Sequence, residues 1–207
     1  TRVYGLDICN VGPVIFYNKD LFEAAGVEPM PTKWDERWTW DEFVENMKKL
    51  TVVDDSGNTT QYGTCNFEEQ YSLYVLQELL DLNGANWYNE DMTAAENVNS
   101  EESKEVIENI KALRVEYGVA PDPNAAGSDT SNSPTAMFLT GQVASIAIGS
   151  YALQEIAQSD INYGVGLFPT FGKDDSDSFM VSADMKCTNA QSEHQEEALL
   201  LAEYMSS

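Results

Sequence analysis

The chain has 207 residues and is poor in the groups that most catalytic and nucleic-acid-binding sites require. It has one histidine, His194, inside the Gln/Glu-rich stretch Glu193-His194-Gln195-Glu196-Glu197, which reads as a solvated surface position. Without a second histidine or a placed cysteine, Ser/His/Asp and Cys/His nucleophilic schemes have no base to use. The three cysteines, Cys9, Cys65 and Cys187, form no CxxC pair, so neither a zinc site nor a redox motif is signalled. They are expected to be buried small apolar residues. GxGxxG and GKS/T loops are absent, which removes the common phosphate cradles. No apolar run approaches the ~20 residues of a membrane-spanning helix. Basic residues are scarce as well, 11 against 35 acidic ones, for a net charge of −24. Such a chain excludes nucleic acid as a partner and is repelled by anionic membrane surfaces. The acidity reads as a solvated face, a calcium-rich or acidophilic setting being the alternative.

What is present is a core. Hydrophobic residues make up 43% of the chain and aromatic ones 11%, which argues against disorder despite the charge. Paired carboxylates such as Glu68-Glu69, Asp54-Asp55 and Asp174-Asp175 are abundant, as chance provides in so acidic a chain. They give weak support to a two-carboxylate glycosidase. Asp54 to Asn58 and Asp174 to Asp177 lack the glycine and glutamate spacing of an EF-hand loop, so no metal site is expected.

Local signals order the elements. Tyr4 to Leu6 and Val14 to Tyr17 suit strands around a turn at Gly12-Pro13. Asn18 caps a short helix with Leu21, Phe22 and Ala25 inward, and Gly26 stops it. Glu28 to Arg37 reads as a loop. Thr39 and Glu42 form a capping box for a helix that places Phe43, Val44, Met47 and Leu50 on one face. Asp54 to Asn58 is a hairpin tip leading to a strand at Gln61 to Gly63. Tyr71 to Leu82 predicts a buried helix, and Ser100 caps another whose face is Val106, Ile107, Ile110, Leu113 and Tyr117. A loop over Ala120 to Ser133 leads to a Ser133-Pro134 helix start. Val143 to Ile148 and Asn162 to Leu167 predict strands around a helix at Tyr151 to Gln158. A second capping box, Ser192 to Gln195, opens a last helix with Ala198, Leu201, Ala202 and Met205 inward. Strands alternating with helices indicate an α/β domain.

The junction Val14 to Val27 is followed by Trp38-Thr39-Trp40-Asp41-Glu42-Phe43 and Leu82-Asn83-Gly84. Further on come Phe138-Leu139-Thr140-Gly141-Gln142-Val143-Ala144 and Gly149-Ser150-Tyr151. In that order and spacing the set resembles the extracellular solute-binding proteins of sugar ABC transporters, the maltose-binding-protein-like class, over most of the chain. The resemblance implies a type II periplasmic-binding-protein fold: two α/β lobes joined by crossover strands, with ligand in the cleft and closure by hinge bending. On that reading residues 1–16 are a first-lobe remnant and crossover strand, 17–161 a second lobe, and 162–207 the return crossover with a further first-lobe remnant. The chain is then a piece of a longer protein.

The resemblance also distributes roles. Tyr151 takes the position of the aromatic, usually tryptophan, that stacks on the sugar, and a tyrosine there offers a smaller platform. Glu69 and Tyr71 look like the acidic-x-aromatic pair that holds ligand, and Asn10 and Asp184 are candidates from the other lobe. Tyr17, Asn18 and Gly164 fall at the hinge. Trp34, Trp38 and Trp40 are expected to anchor their loop against the lobe. The implied function is non-catalytic capture of a mono- or oligosaccharide outside the cytoplasm, by a monomer in the periplasm or on a lipid anchor. Delivery is to an ABC permease, without cofactor, metal or nucleic acid. Alternatives are a non-sugar solute on the same scaffold, an extracellular sugar-sensing domain, and a carbohydrate-active enzyme domain.

Overall fold

The computed structural model describes residues 5–68, 74–85, 87–89, 91, 93–122, 133–173 and 179–206. It divides into two compact units, one of Pro13–Met180 and one of Thr1–Gly12 with Val181–Ser207. The expected boundaries were residues 16/17 and 161/162; the division instead falls after Gly12 and after Met180.

The larger unit is built on a three-stranded antiparallel sheet in the order β5-β2-β6, with β2 at Pro13–Asn18, β5 at Ser145–Gly149 and β6 at Tyr163–Gly166. Val52–Val53 (β3) and Thr59–Gln61 (β4) form a short antiparallel ribbon, and the segment from Tyr62 to Cys65 then runs beside β5 through parallel bridges, Tyr62 to Val143 and Cys65 to Ile146. Helices cover both faces, which is why β2 and β5 are apolar without alternation. Ile15, Tyr17 and Ala147 point into one core, shared with residues of α1 (Lys19–Ala24), α2 (Trp40–Leu50), α3 (Tyr74–Leu82) and α4 (Glu101–Val115). Phe16, Ile146 and Ile148 point the other way, against Phe138 of α5 (Pro134–Leu139) and Ile156 of α6 (Leu153–Ala157). That reversal at every residue is the two-residue period of a strand.

The helix starts follow the local signals. The Thr39 hydroxyl accepts from the Glu42 N–H at 3.2 Å while the Glu42 carboxylate accepts from the Thr39 N–H at 2.8 Å, completing the box. Ser100 caps α4 and Ser133 caps α5, with Pro134 in its first turn. Ile107, expected on the core face of α4, is exposed; Tyr117 packs against the core as expected, from just beyond the helix end, with the Lys48 ammonium 4.5 Å from its ring centre. Trp38 and Trp40 do anchor their loop, Trp40 being stacked on Phe171 at 5.2 Å, whereas Trp34 is exposed with the Arg37 guanidinium over its ring.

The smaller unit pairs β1 (Leu6–Val11) antiparallel with β7 (Ser182–Lys186) and carries α7 (Gln195–Met205). A two-stranded ribbon and one helix bury little. Val11 and Ala202 are buried, while Leu201 and Met205, expected to face inward, are exposed together with Leu199, Leu200 and Tyr204. The Ser192–Gln195 box does not form. Ser192 Oγ accepts from the His194 N–H at 3.1 Å, two residues on, and the Gln195 amide donates to the Ala190 carbonyl. Cys9 and Cys187 are exposed in this unit, correcting the expectation of burial, and Cys65 alone is buried, its thiol pushed up to about 12 by burial.

Candidate functional site

Tyr151 stands at the end of β5. The strand register sets Gly149 opposite Pro13, so β5 finishes where the chain enters the larger unit, and Ser150–Ala152 turns away as a short 3-10 helix. That turn leaves Tyr151 56% exposed while Ala152 behind it is buried. The geometry suits an aromatic face offered to a ligand, since a ring can stack on the C–H face of a sugar.

Asn66 belongs to the same neighbourhood and carries no obvious sequence signal. It has a positive φ of 70°, a conformation that Asn tolerates better than most residues, and its amide donates to the Ala147 carbonyl at 2.7 Å. This bond ties the loop after Cys65 to β5 two residues before Gly149. Glu68 follows, and the Arg114 guanidinium holds it at 2.9 Å and stands 3.8 Å from Asp122. Burial pushes the Glu68 carboxyl up, and Arg114 partly offsets the shift. Glu69 and Tyr71, the expected acidic-x-aromatic pair, lie outside the described residues.

Asn10 and Asp184 both fall in the smaller unit, on paired strands. Asn10 is opposite Ala183, and Cys9 is opposite Asp184. The Cys9 thiol donates to Asp184 Oδ2 at 3.6 Å, an exposed contact. The register therefore puts Asp184 on the face of Cys9 and Asn10, one residue on, on the opposite face of the ribbon.

Tyr17, Asn18 and Gly164 all lie inside the larger unit, whereas the chain passes between units at Gly12–Pro13 and Met180–Val181. Tyr17 is 4% exposed, and burial raises its hydroxyl pKa. Gly164 pairs with it across the β2–β6 ladder, where an added β-carbon would overlap the Tyr17 ring. Asn18 caps α1, accepting from the Asp20 and Leu21 N–H groups at 3.0 and 3.2 Å.

Among the described residues no cluster of three or more His, Cys, Asp or Glu is placed to hold a metal ion. The Asp54 carboxylate is engaged in its own turn, accepting from the Ser56 and Asn58 N–H groups, while residues 174–178 of the other acidic loop lie outside the described set. Two open grooves of about 400 Å³ line the outer faces of α2 and α4, and neither includes Tyr151 or Glu68. No helix among the described residues is long and apolar enough to cross a membrane.

Comparison with known proteins places this geometry. The family described as bacterial extracellular solute-binding protein matches residues 3–207. Among curated relatives, an sn-glycerol-3-phosphate-binding periplasmic protein of Yersinia enterocolitica is 29% identical over 164 residues, covering 76% of this chain and 33% of the relative. Among solved structures, an ABC substrate-binding protein of Listeria monocytogenes in complex with cycloalternan superposes with a TM-score of 0.79. It is 24% identical and covers 99% of this chain and 48% of that one. The maltose/maltodextrin-binding domain of Bdellovibrio bacteriovorus bound to maltotriose gives 0.72 at 22% identity, covering 99% and 50%. The fold is thus α/β and of the periplasmic-binding-protein type II class, one lobe with parts of the other. The chain spans about a third of the length of the curated relatives it matches and about half that of the solved structures.

Proposed function

The chain belongs to the bacterial extracellular solute-binding proteins, and from that premise we propose that it captures a neutral carbohydrate outside the cytoplasm and passes it, unreacted, to an ABC permease. The observation that carries this reading is Tyr151, an exposed aromatic held at a strand end by the turn that buries its neighbour Ala152. In this reading Tyr151 stacks on the sugar, and Glu69 and Tyr71 hold it as the acidic-x-aromatic pair. The protein works as a monomer, without cofactor or catalytic group.

The ligand of the Yersinia relative is named as a phosphate ester, and the charge of this chain favours a neutral solute instead. Net charge is −24, and the chain has only three arginines, Arg2, Arg37 and Arg114. Recognition of phosphate favours a bidentate guanidinium. Arg114 is engaged by Glu68 and Asp122, Arg37 Nε donates to the Trp34 carbonyl, and Arg2 lies outside the described residues.

A thermal-shift panel on the protein at its full natural length tests the reading. Ligands that bind the native state raise the midpoint. A rise with mono- or oligosaccharides supports it. A flat response to sugars alongside a rise with sn-glycerol 3-phosphate or peptides overturns it.

A further inference from the structure

Glu78 is the buried acid for which ligand capture has no use. It lies on the inward face of α3 beside Val75, Leu79 and Leu82 and is 1% exposed. A carboxylate in that setting needs a hydrogen-bond donor, because burial strips its water. The donor is the backbone N–H of Met180, 2.7 Å from Glu78 Oε2.

The position of Met180 gives this bond its interest. Met180 is the last residue of the larger unit, and the chain leaves it at Val181 to enter β7 at Ser182. Earlier in the returning segment, backbone carbonyls and an aromatic ring serve as attachments. The Leu167 N–H donates to the Pro31 carbonyl at 3.0 Å, the Thr170 N–H to the Trp38 carbonyl at 2.8 Å, and Phe171 stacks on Trp40. At the exit, the acceptor is instead an ionisable group.

Burial is the largest influence on the Glu78 carboxyl and lifts it to about 7, with Asp81, one turn along α3, adding to the rise. The Met180 N–H and the Arg37 charge oppose it. Glu78 therefore changes charge near neutral pH. A carboxylate is a stronger acceptor than the neutral acid.

We propose that Glu78 is a titratable latch on the return crossover, gripping the Met180 amide as a carboxylate and loosening it as the neutral acid. The freedom of the chain at Met180–Val181 then follows the protonation of a side chain buried in α3.

An NMR titration of the ¹³C,¹⁵N-labelled protein at its full natural length, without ligand, tests this. The Met180 amide proton is expected to move downfield as pH rises, with the same midpoint as the Glu78 carboxyl carbon. Its exchange protection, corrected for the intrinsic rate, is expected to rise about tenfold across the titration, the difference between a neutral and a charge-assisted hydrogen bond. In Glu78→Gln, which keeps an acceptor oxygen but no titrating group, both readouts become independent of pH. Should that variant fail to fold, the coincidence of the two midpoints in the unmodified chain still decides the matter. A Met180 amide that does not follow Glu78, or one that titrates unchanged in Glu78→Gln, overturns the latch. Neither readout involves a sugar, so failure here leaves the carbohydrate reading standing, and the reverse.

Discussion

Gly164 and Tyr17 are far apart in sequence and interlocked in space, a pairing that no local pattern reveals. The absence of a side chain at Gly164 makes room for the Tyr17 ring across the ladder. Gly164→Ala is expected to cost about 1–3 kcal/mol, as overpacking of a tight core does, measurable as a lowered urea midpoint. Tyr151 is the opposite case. Its ring is 56% exposed, so Tyr151→Ala should leave that midpoint almost unchanged. If it stacks on the ligand, the same change weakens sugar affinity about 30-fold, the ~2 kcal/mol typical of an aromatic anchor, by calorimetry. In the sequence Tyr17 closes a strand and Tyr151 opens a helix, so each stood only as an aromatic at an element end. What separates them is a distant glycine in one case and a 3-10 turn in the other. The cysteines teach the same lesson: Cys65 lies against β5 and is buried, while Cys9 on β1 and Cys187 just after β7 belong to a unit too small to bury them.

Caps show which element signals survive folding. The Thr39 box was legible because all its atoms lie within one turn, and Thr39→Ala is expected to cost about 1 kcal/mol in denaturant unfolding. The Ser192 motif has the same spacing, yet Ser192 bonds two residues on and α7 begins at Gln195 without a side-chain cap. Ser192→Ala should therefore change stability far less than Thr39→Ala. The inward face of α7 was misread for a related reason: periodicity states which residues share a face, not whether anything covers it. On α3, Glu78 makes stability depend on pH. Its pKa in the fold, about 7, lies above the ordinary 4.5, so the folded chain holds the proton more tightly than the unfolded one. The stabilisation is complete below about 4.5 and is lost as pH rises to about 7, on the order of 3 kcal/mol in all. Unfolding free energy measured across that range should fall with pH, and Glu78→Gln should flatten the slope.

At the scale of the whole molecule, the α/β architecture and the order of its elements were legible from strand and cap signals. The points where the chain passes between units were not. Tyr17-Asn18 looked like a crossover because a strand meets a helix there, but β2 pairs on both sides up to that point and so belongs to one unit along its length. Gly12–Pro13 marks the division, and the turn chemistry there was visible without its meaning. Charge acts at this scale too, since 35 acidic residues against 11 basic ones bias the choice of solute before any contact is made. The central claim, a neutral carbohydrate as ligand, is tested most directly by calorimetric titration of the protein at its full natural length. Maltotriose and sn-glycerol 3-phosphate are titrated in parallel, with a panel of neutral mono- and oligosaccharides beside them. Saturable heat from a neutral saccharide, abolished or strongly weakened in Tyr151→Ala, is the predicted result. Saturable heat from sn-glycerol 3-phosphate with none from any neutral saccharide would contradict it.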